Sequence, residues 1–142
     1  MRFIFTALLL ISLSGTLKAP LAEPDRKYIM IEKEGPDPFL ELWEALKMVE
    51  SSNNPAVINE TEQAYGVSQI RQIRLDDYYR RTGIRYTLED CLDEKVSLEI
   101  FRYYYGRYDN WEIAVKRWNG SGRMTAVYLD KVKKELEKVE NS

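Results

Sequence analysis

The segment that most constrains the fold is residues 37–51, where apolar side chains recur at helical spacing. Asp37 is a good N-cap, and Pro38 is a good first helical residue. Residues three or four positions apart lie on the same face of an α-helix. The apolar residues with this spacing are Phe39, Leu42, Trp43, Leu46 and Val49. The segment therefore predicts an amphipathic helix, which Ser51–Pro55 ends.

Two further helices are predicted in the middle of the chain. The first spans about residues 67–81, and its inward residues are Val67, Ile70 and Ile73. The second begins at the capping box Thr87–Asp90 and ends by Gly106. Cys91 falls on the inward face of this helix, where we expect a buried small residue.

The C-terminal part of the chain predicts two more helices. Asn110 is placed to cap a short helix that the loop Asn119–Gly122 ends. The last helix begins near Met124 and repeats Tyr128 and Val132 on one face. No alternating strand pattern of any length occurs. We therefore expect a single all-α domain over residues 39–142, with no internal repeat.

The N-terminal residues have the pattern of an export signal. Arg2 precedes an apolar or small run from Phe3 to Leu13, which is too short to span a bilayer as a stable helix. We expect cleavage after Ala22, so that residues 1–22 are a signal peptide and residues 23–38 an extended leader. The protein would then be exported to the periplasm or the exterior, without stable membrane insertion. An uncleaved N-terminal anchor is the alternative.

Composition excludes several kinds of site. The chain has no histidine, so it has no Ser–His or Cys–His pair, and its single cysteine cannot build a zinc cluster or an internal disulfide. We expect neither a metal nor a cofactor. Removing residues 1–22 removes two of the 21 basic residues and none of the 23 acidic ones, leaving a net charge of −4. This balance argues against a nucleic-acid partner.

Glu50 lies where an apolar residue is expected. At about 100° per residue, it falls within the apolar stripe of the first helix, beside Trp43 and Leu46. No Lys or Arg lies one turn away on that face. Two interpretations follow: Glu50 turns outward in the last helical turn or caps a neighbouring helix, or it is a desolvated acid with a raised pKa. A raised pKa is the property that a general acid needs near neutral pH.

Three ordered segments of the chain resemble the motifs of the soluble lytic transglycosylase domain, a relative of goose-type lysozyme. They are Glu50–Val57, Ala64–Ile70 and Ala114–Gly120. The resemblance implies a lysozyme-like helical domain that binds peptidoglycan glycan strands. It also implies that Glu50 is the catalytic acid and base. The residues that would contact the sugar are Ser51, Tyr65, Gln69, Trp118 and Asn119.

The activity that the resemblance implies is cleavage of the β-1,4 bond between N-acetylmuramic acid and N-acetylglucosamine, with formation of a 1,6-anhydro sugar. Trp118 stands where the family usually has tyrosine, and Val67-Ser68 where it has Leu-Met. Trp118 is expected either to stack on a sugar or to pack in the core. Gln69 is expected either to line the cleft or to lie on the surface. A hydrolytic muramidase that uses Glu60 or Glu62 and a non-catalytic peptidoglycan-binding protein are the alternatives.

Overall fold

The structure, a computed structural model, describes residues 37–142. The predicted signal peptide, residues 1–22, and the leader up to residue 36 lie outside the described residues. Within residues 37–142, no helix has both the length and the apolar character that a bilayer span requires.

Five α-helices and a small sheet form the described part of the chain. The α-helices are α1 (Pro38–Ser51), α2 (Gln72–Thr82), α3 (Glu94–Tyr105), α4 (Trp111–Asn119) and α5 (Met124–Glu140). The strands are β1 (Ile58–Asn59), β2 (Ala64–Tyr65) and β3 (Ile70–Arg71), and a 3₁₀ helix spans Glu89–Leu92. The prediction of a mainly helical domain is confirmed.

The helices with strong caps begin and end where the sequence predicts. The Asp37 side chain accepts a hydrogen bond from the backbone N–H of Phe39 (2.9 Å) at the start of α1. After Ser51 the chain leaves the helix through two left-handed residues, Ser52 (φ 53°) and Asn53 (φ 60°). The Asn110 side chain caps α4 by accepting from the N–H groups of its first turn. These side chains satisfy backbone groups that helix ends leave unpaired.

The sheet was not predicted, and it makes the domain mainly, not purely, helical. Its strands are antiparallel in the order β1-β2-β3, and Tyr65 pairs with both Ile58 and Ile70. Each strand has two residues, which is too short for an alternating pattern to show in the sequence. The predicted second helix accordingly begins at Gln72. Val67 and Ile70 are buried as expected, whereas Ile73 is 75% exposed.

The predicted third helix is divided in two. Its capping box exists, because the backbone N–H of Thr87 donates to Asp90 (2.8 Å) and that of Asp90 to the Thr87 hydroxyl (3.2 Å). The box, however, begins only the 3₁₀ helix. Asp93 is extended and accepts from the N–H of Lys95 (2.8 Å), so that it starts a separate helix, α3.

The core is centred on Phe101 of α3. Its ring lies 5.4 Å from that of Trp43 in α1 and 5.1 Å from that of Trp118 in α4, centroid to centroid. The last helix, α5, packs along α1 and against α4. Cys91 is fully buried, as predicted, and burial raises the pKa of its thiol to about 12. This packing holds the ends of α1 and α4 near the start of α2.

Candidate active site

A cavity of about 390 Å³ lies between the end of α1, the sheet, the start of α2 and the end of α4. Its charged lining residues are Glu50, Glu62, Arg71, Arg74, Asp77 and Arg80. Its other lining residues are Gln69, Ile70, Ile73, Trp118 and Asn119. The cavity thus brings together Glu50, Gln69, Trp118 and Asn119, which the sequence assigned to three separate motifs.

Glu50 occupies the last turn of α1 and is largely removed from water. Burial raises the pKa of its carboxyl group from 4.5 to about 7, although the side chains of Tyr128 and Trp118 and the charge of Arg71 oppose this shift. The Tyr128 hydroxyl donates a hydrogen bond to Oε1 of Glu50 (2.5 Å). No ion pair within residues 37–142 includes Glu50. Of the two interpretations of this residue, the geometry supports the desolvated acid.

Tyr128 is a site residue that the sequence analysis did not identify. It was predicted only as part of the buried face of α5, and it is 8% exposed. Burial and the neighbouring Glu50 charge raise the pKa of its phenol, so the hydroxyl stays protonated and donates to Glu50. A buried tyrosine needs a partner for its hydroxyl, which is the only local signal of this contact. The partner is 78 positions away, so spacing does not reveal it.

Gln69 lies in a turn between β2 and β3, not on a helix as predicted. Its backbone is left-handed (φ 51°), and its side-chain amide donates to the Gly66 carbonyl (2.9 Å). Gly66 also has a positive φ of 75°, and a Cβ there would overlap the Cys91 carbonyl oxygen. The turn is therefore held against the 3₁₀ helix, and it directs Gln69 toward the cavity.

The structure does not bring Ser51 or Tyr65 to the lining of this cavity. The Ser51 hydroxyl donates to the carbonyl of Val67 (2.9 Å) and ties the end of α1 to the turn before β3. Tyr65, in β2, is half-buried and packs against the core. Both were predicted to contact the sugar. The Ser51 hydrogen bond instead joins the segments that carry Glu50 and Gln69.

Trp118 and Asn119 end α4 at the edge of the cavity. The Trp118 ring is 8% exposed and packs edge-on against Phe101, so it belongs to the core and also lines the cavity. The interpretation of Trp118 as a core residue is confirmed, and sugar stacking at this position stays a prediction. Its side chain also favours the ionised form of Glu50.

The other two acids in the cavity differ from Glu50 because both have arginine partners. Glu62 lies 3.8 Å from Arg71, and its side chain is 60% exposed. Asp77 accepts hydrogen bonds from Arg81 (2.7 Å) and from the Tyr104 hydroxyl (2.7 Å), and these bonds lower its pKa. Glu60 does not line the cavity.

The arrangement can hold a proton on one buried carboxyl group near neutral pH, beside a cavity with polar walls. Within residues 37–142, no three His, Cys, Asp or Glu side chains are grouped so that they could hold a metal ion. Comparison of the chain with protein-family models, with curated proteins and with solved structures gives no match.

Proposed function

We propose that the protein is an exported peptidoglycan lytic transglycosylase. It would cleave the β-1,4 bond between N-acetylmuramic acid and N-acetylglucosamine and leave a 1,6-anhydro end. The single observation that carries the proposal is Glu50, a carboxyl group with a pKa of about 7 that lines a cavity and has a hydrogen-bonded tyrosine as its partner. The export pattern of residues 1–22 and the three motif-like segments support the same conclusion.

Proton donation is the first step of the proposed reaction. The Tyr128 hydroxyl donates to Oε1 of Glu50, so Oε2 would carry the acidic proton. A protonated carboxyl group at this pKa is a general acid near neutral pH, and it would donate to the glycosidic oxygen as the bond to C1 breaks. The acetamide of the substrate would stabilise the positive charge that develops at C1.

Ring closure is the second step. The Glu50 carboxylate takes the proton from the C6 hydroxyl of the muramyl residue, and the C6 oxygen bonds to C1. The proton returns to Glu50, so the acid is regenerated and no water is consumed. One carboxyl group is sufficient for this sequence, whereas a hydrolase commonly needs a second one. The arginine partners of Glu62 and Asp77 leave Glu50 as the acid best suited to this role.

Hydrolysis is the second candidate function, and the position of Glu62 favours it. Glu62 lines the same cavity as Glu50 and is exposed enough to hold a water molecule there. In that case the water would attack C1, and the product would have a reducing end. The two products differ by one water molecule, so their masses distinguish the two functions.

The test is mass spectrometry of muropeptides released from purified peptidoglycan by the mature protein and by Glu50→Gln. We expect anhydro ends from the unchanged protein and none from the variant, because the amide has the same shape but no acidic proton. Glu41→Gln, on the same helix and outside the cavity, is the matched control and should release the same products. Reducing ends would support the hydrolase, and no release would leave a non-catalytic binding protein.

A further inference from the structure

Arg74 is a cation held in one orientation at the wall of the cavity. Its guanidinium carbon lies 4.5 Å from the centre of the Tyr104 ring and 4.8 Å from that of Trp118. It also donates a hydrogen bond to the backbone carbonyl of Trp118 (2.8 Å). Aromatic contacts and a carbonyl fix the position of the guanidinium but do not neutralise its charge.

Arg74 differs from the other two arginines of the cavity because it has no carboxylate partner within residues 37–142. Arg71 lies 3.8 Å from Glu62, and Arg80 lies 3.4 Å from Asp77. When Glu50 carries its proton, the charge of Arg74 is therefore uncompensated in the cavity. A guanidinium has several donors in a fixed plane, and carboxylates match this geometry.

The start of α2 adds to the attraction for an anion at this wall. Arg71 and Arg74 lie at the N-terminal end of the helix, which has neither a side-chain cap nor an acidic residue in its first turn. The helix dipole disfavours cations at this end and favours anions. A negatively charged ligand group at this position would interact favourably with the helix dipole and with the two arginines.

Ile73 gives the same wall an apolar part. Its side chain is 75% exposed and lines the cavity next to Arg74 in the sequence. Ligand sites commonly combine apolar surface with polar groups that fix the orientation of the ligand. A ligand that fits this wall has a carboxylate close to a small apolar group, such as a methyl.

We propose that Arg74 is a specificity-determining residue that binds a carboxylate of the substrate, so that the site prefers glycan strands whose muramyl residues carry negative charge. This inference rests on the proposed function. Two groups have the required chemistry, a carboxylate beside a methyl group. They are the lactyl group of muramic acid, when it is free of peptide, and the carboxylates of an attached stem peptide.

The experiment measures the binding of three glycan strands to Glu50→Gln, which we expect not to cleave them. The first strand carries stem peptides, the second has been stripped of peptides, and the third is the stripped strand with its lactyl carboxylates converted to neutral methylamides. We expect the dissociation constant to be about tenfold higher for the neutral strand than for the preferred anionic one, as for a hydrogen bond to a charged group. Whichever anionic strand binds better identifies the source of the carboxylate.

Substitution of Arg74 in the same background assigns the preference to this residue. Arg74→Gln should reduce the tenfold ratio of dissociation constants to less than about twofold. Arg74→Lys should retain part of the ratio, since lysine keeps the charge but not the planar donors. Arg85→Gln is the matched control. It removes a guanidinium that stacks on Tyr79 (4.0 Å), outside this cavity, and should leave the ratio unchanged. Circular dichroism establishes that each variant is folded.

Equal binding of the three strands, or a tenfold ratio that persists in Arg74→Gln, would overturn the inference. If Arg74→Gln does not fold, an unchanged tenfold ratio in Arg74→Lys would overturn it instead. The cleavage assay with the unchanged protein tests the proposed function separately. Release of anhydro ends with equal rates from anionic and neutral strands would refute the role of Arg74 and retain the transglycosylase.

Discussion

Helix α1 contains two charged residues that are withdrawn from water in opposite ways. Lys47 has a side chain that is 5% exposed, and it contacts Glu44 (2.8 Å) and Glu94 (2.7 Å). Burial lowers the pKa of Lys47, but the hydrogen bonds to these two carboxylates and their negative charges together raise the pKa above its ordinary value. Glu50, three residues later, has a neutral tyrosine as its hydrogen-bond partner.

The difference separates a charge that supports the fold from one that is available for chemistry. A buried ion with opposite charges beside it keeps its usual ionisation state, so that it is part of the structure. A buried acid without a cation holds its proton to higher pH and can give that proton to a substrate. The following predictions test this contrast between Lys47 and Glu50.

Substitution of Glu50 should have the largest effect, and the loss should be one of activity, not of stability. We expect Glu50→Gln to lower the rate of peptidoglycan cleavage by about 10³-fold or more, since general acid–base catalysis is worth about 10²–10⁴ in rate and Glu50 would act in both steps. The free energy of unfolding at pH 7 should not decrease, because the amide has no charge to desolvate. Turbidity of a peptidoglycan suspension and urea unfolding measure the two quantities. A large loss of stability would instead make Glu50 a structural residue.

The pH dependence of stability provides the second test. The pKa of Glu50 is raised to about 7 in the folded protein, so the folded state binds more protons than the unfolded state between about pH 4.5 and 7. Stability should therefore fall as the pH rises through this range, by up to about 3 kcal/mol, and level off above it. Urea unfolding of the unchanged protein and of Glu50→Gln at pH 4.5 and 8 isolates this contribution. A difference in the free energy of unfolding between the two proteins that is the same at both pH values would contradict this prediction.

Removing the carboxylate partners of Lys47 should leave this lysine, like Glu50, buried without an opposite charge beside it. In the double variant Glu44→Gln and Glu94→Gln, the ammonium group stays buried without a carboxylate. We expect the free energy of unfolding to fall by about 2–3 kcal/mol, somewhat less than for a fully enclosed pair, because both glutamates are partly exposed. Thermal unfolding measures this loss. Cleavage per folded molecule should be retained, and a loss of activity without a loss of stability would show that the two regions are coupled.

Tyr128→Phe should have the smallest effect. The hydroxyl of Tyr128 stabilises the ionised form of Glu50, so its removal raises the pKa of this acid further. The alkaline limb of the pH–rate profile should move upward by about one pH unit, which corresponds to one hydrogen bond to a charged group. Tyr78→Phe is a control, since it removes a hydroxyl that hydrogen-bonds to Glu99 outside the cavity. An unchanged profile for Tyr128→Phe would remove this residue from the site.

The parts of the fold that local chemistry determines are predictable from the sequence. Asp37 and Asn110 are side-chain caps, and they mark the starts of α1 and α4 correctly. The apolar stripe likewise identifies Glu50 as an exception. The strands are missed because two residues have no periodicity, and the break at Asp93 is missed because the apolar pattern continues across it.

The candidate site is predictable only in part, because several of its contacts join distant parts of the chain. Motif resemblance brings Gln69 and Trp118 into consideration, and both line the cavity with Glu50. It also includes Ser51 and Tyr65, which instead hydrogen-bond to the backbone or pack against the core. No pattern in the sequence relates Tyr128 to Glu50. That relation is produced by the packing of α5 along α1.

The burial of Glu50 beside Tyr128 makes the acidity of the site depend on completion of the fold. One partner lies in the first helix of the described chain and the other in the last. Until α5 packs along α1, Glu50 is exposed to water and titrates as an ordinary carboxylic acid, ionised at neutral pH. A chain that has not finished folding would therefore be catalytically latent. The proposed activity would begin only when the C-terminal helix is in its native position.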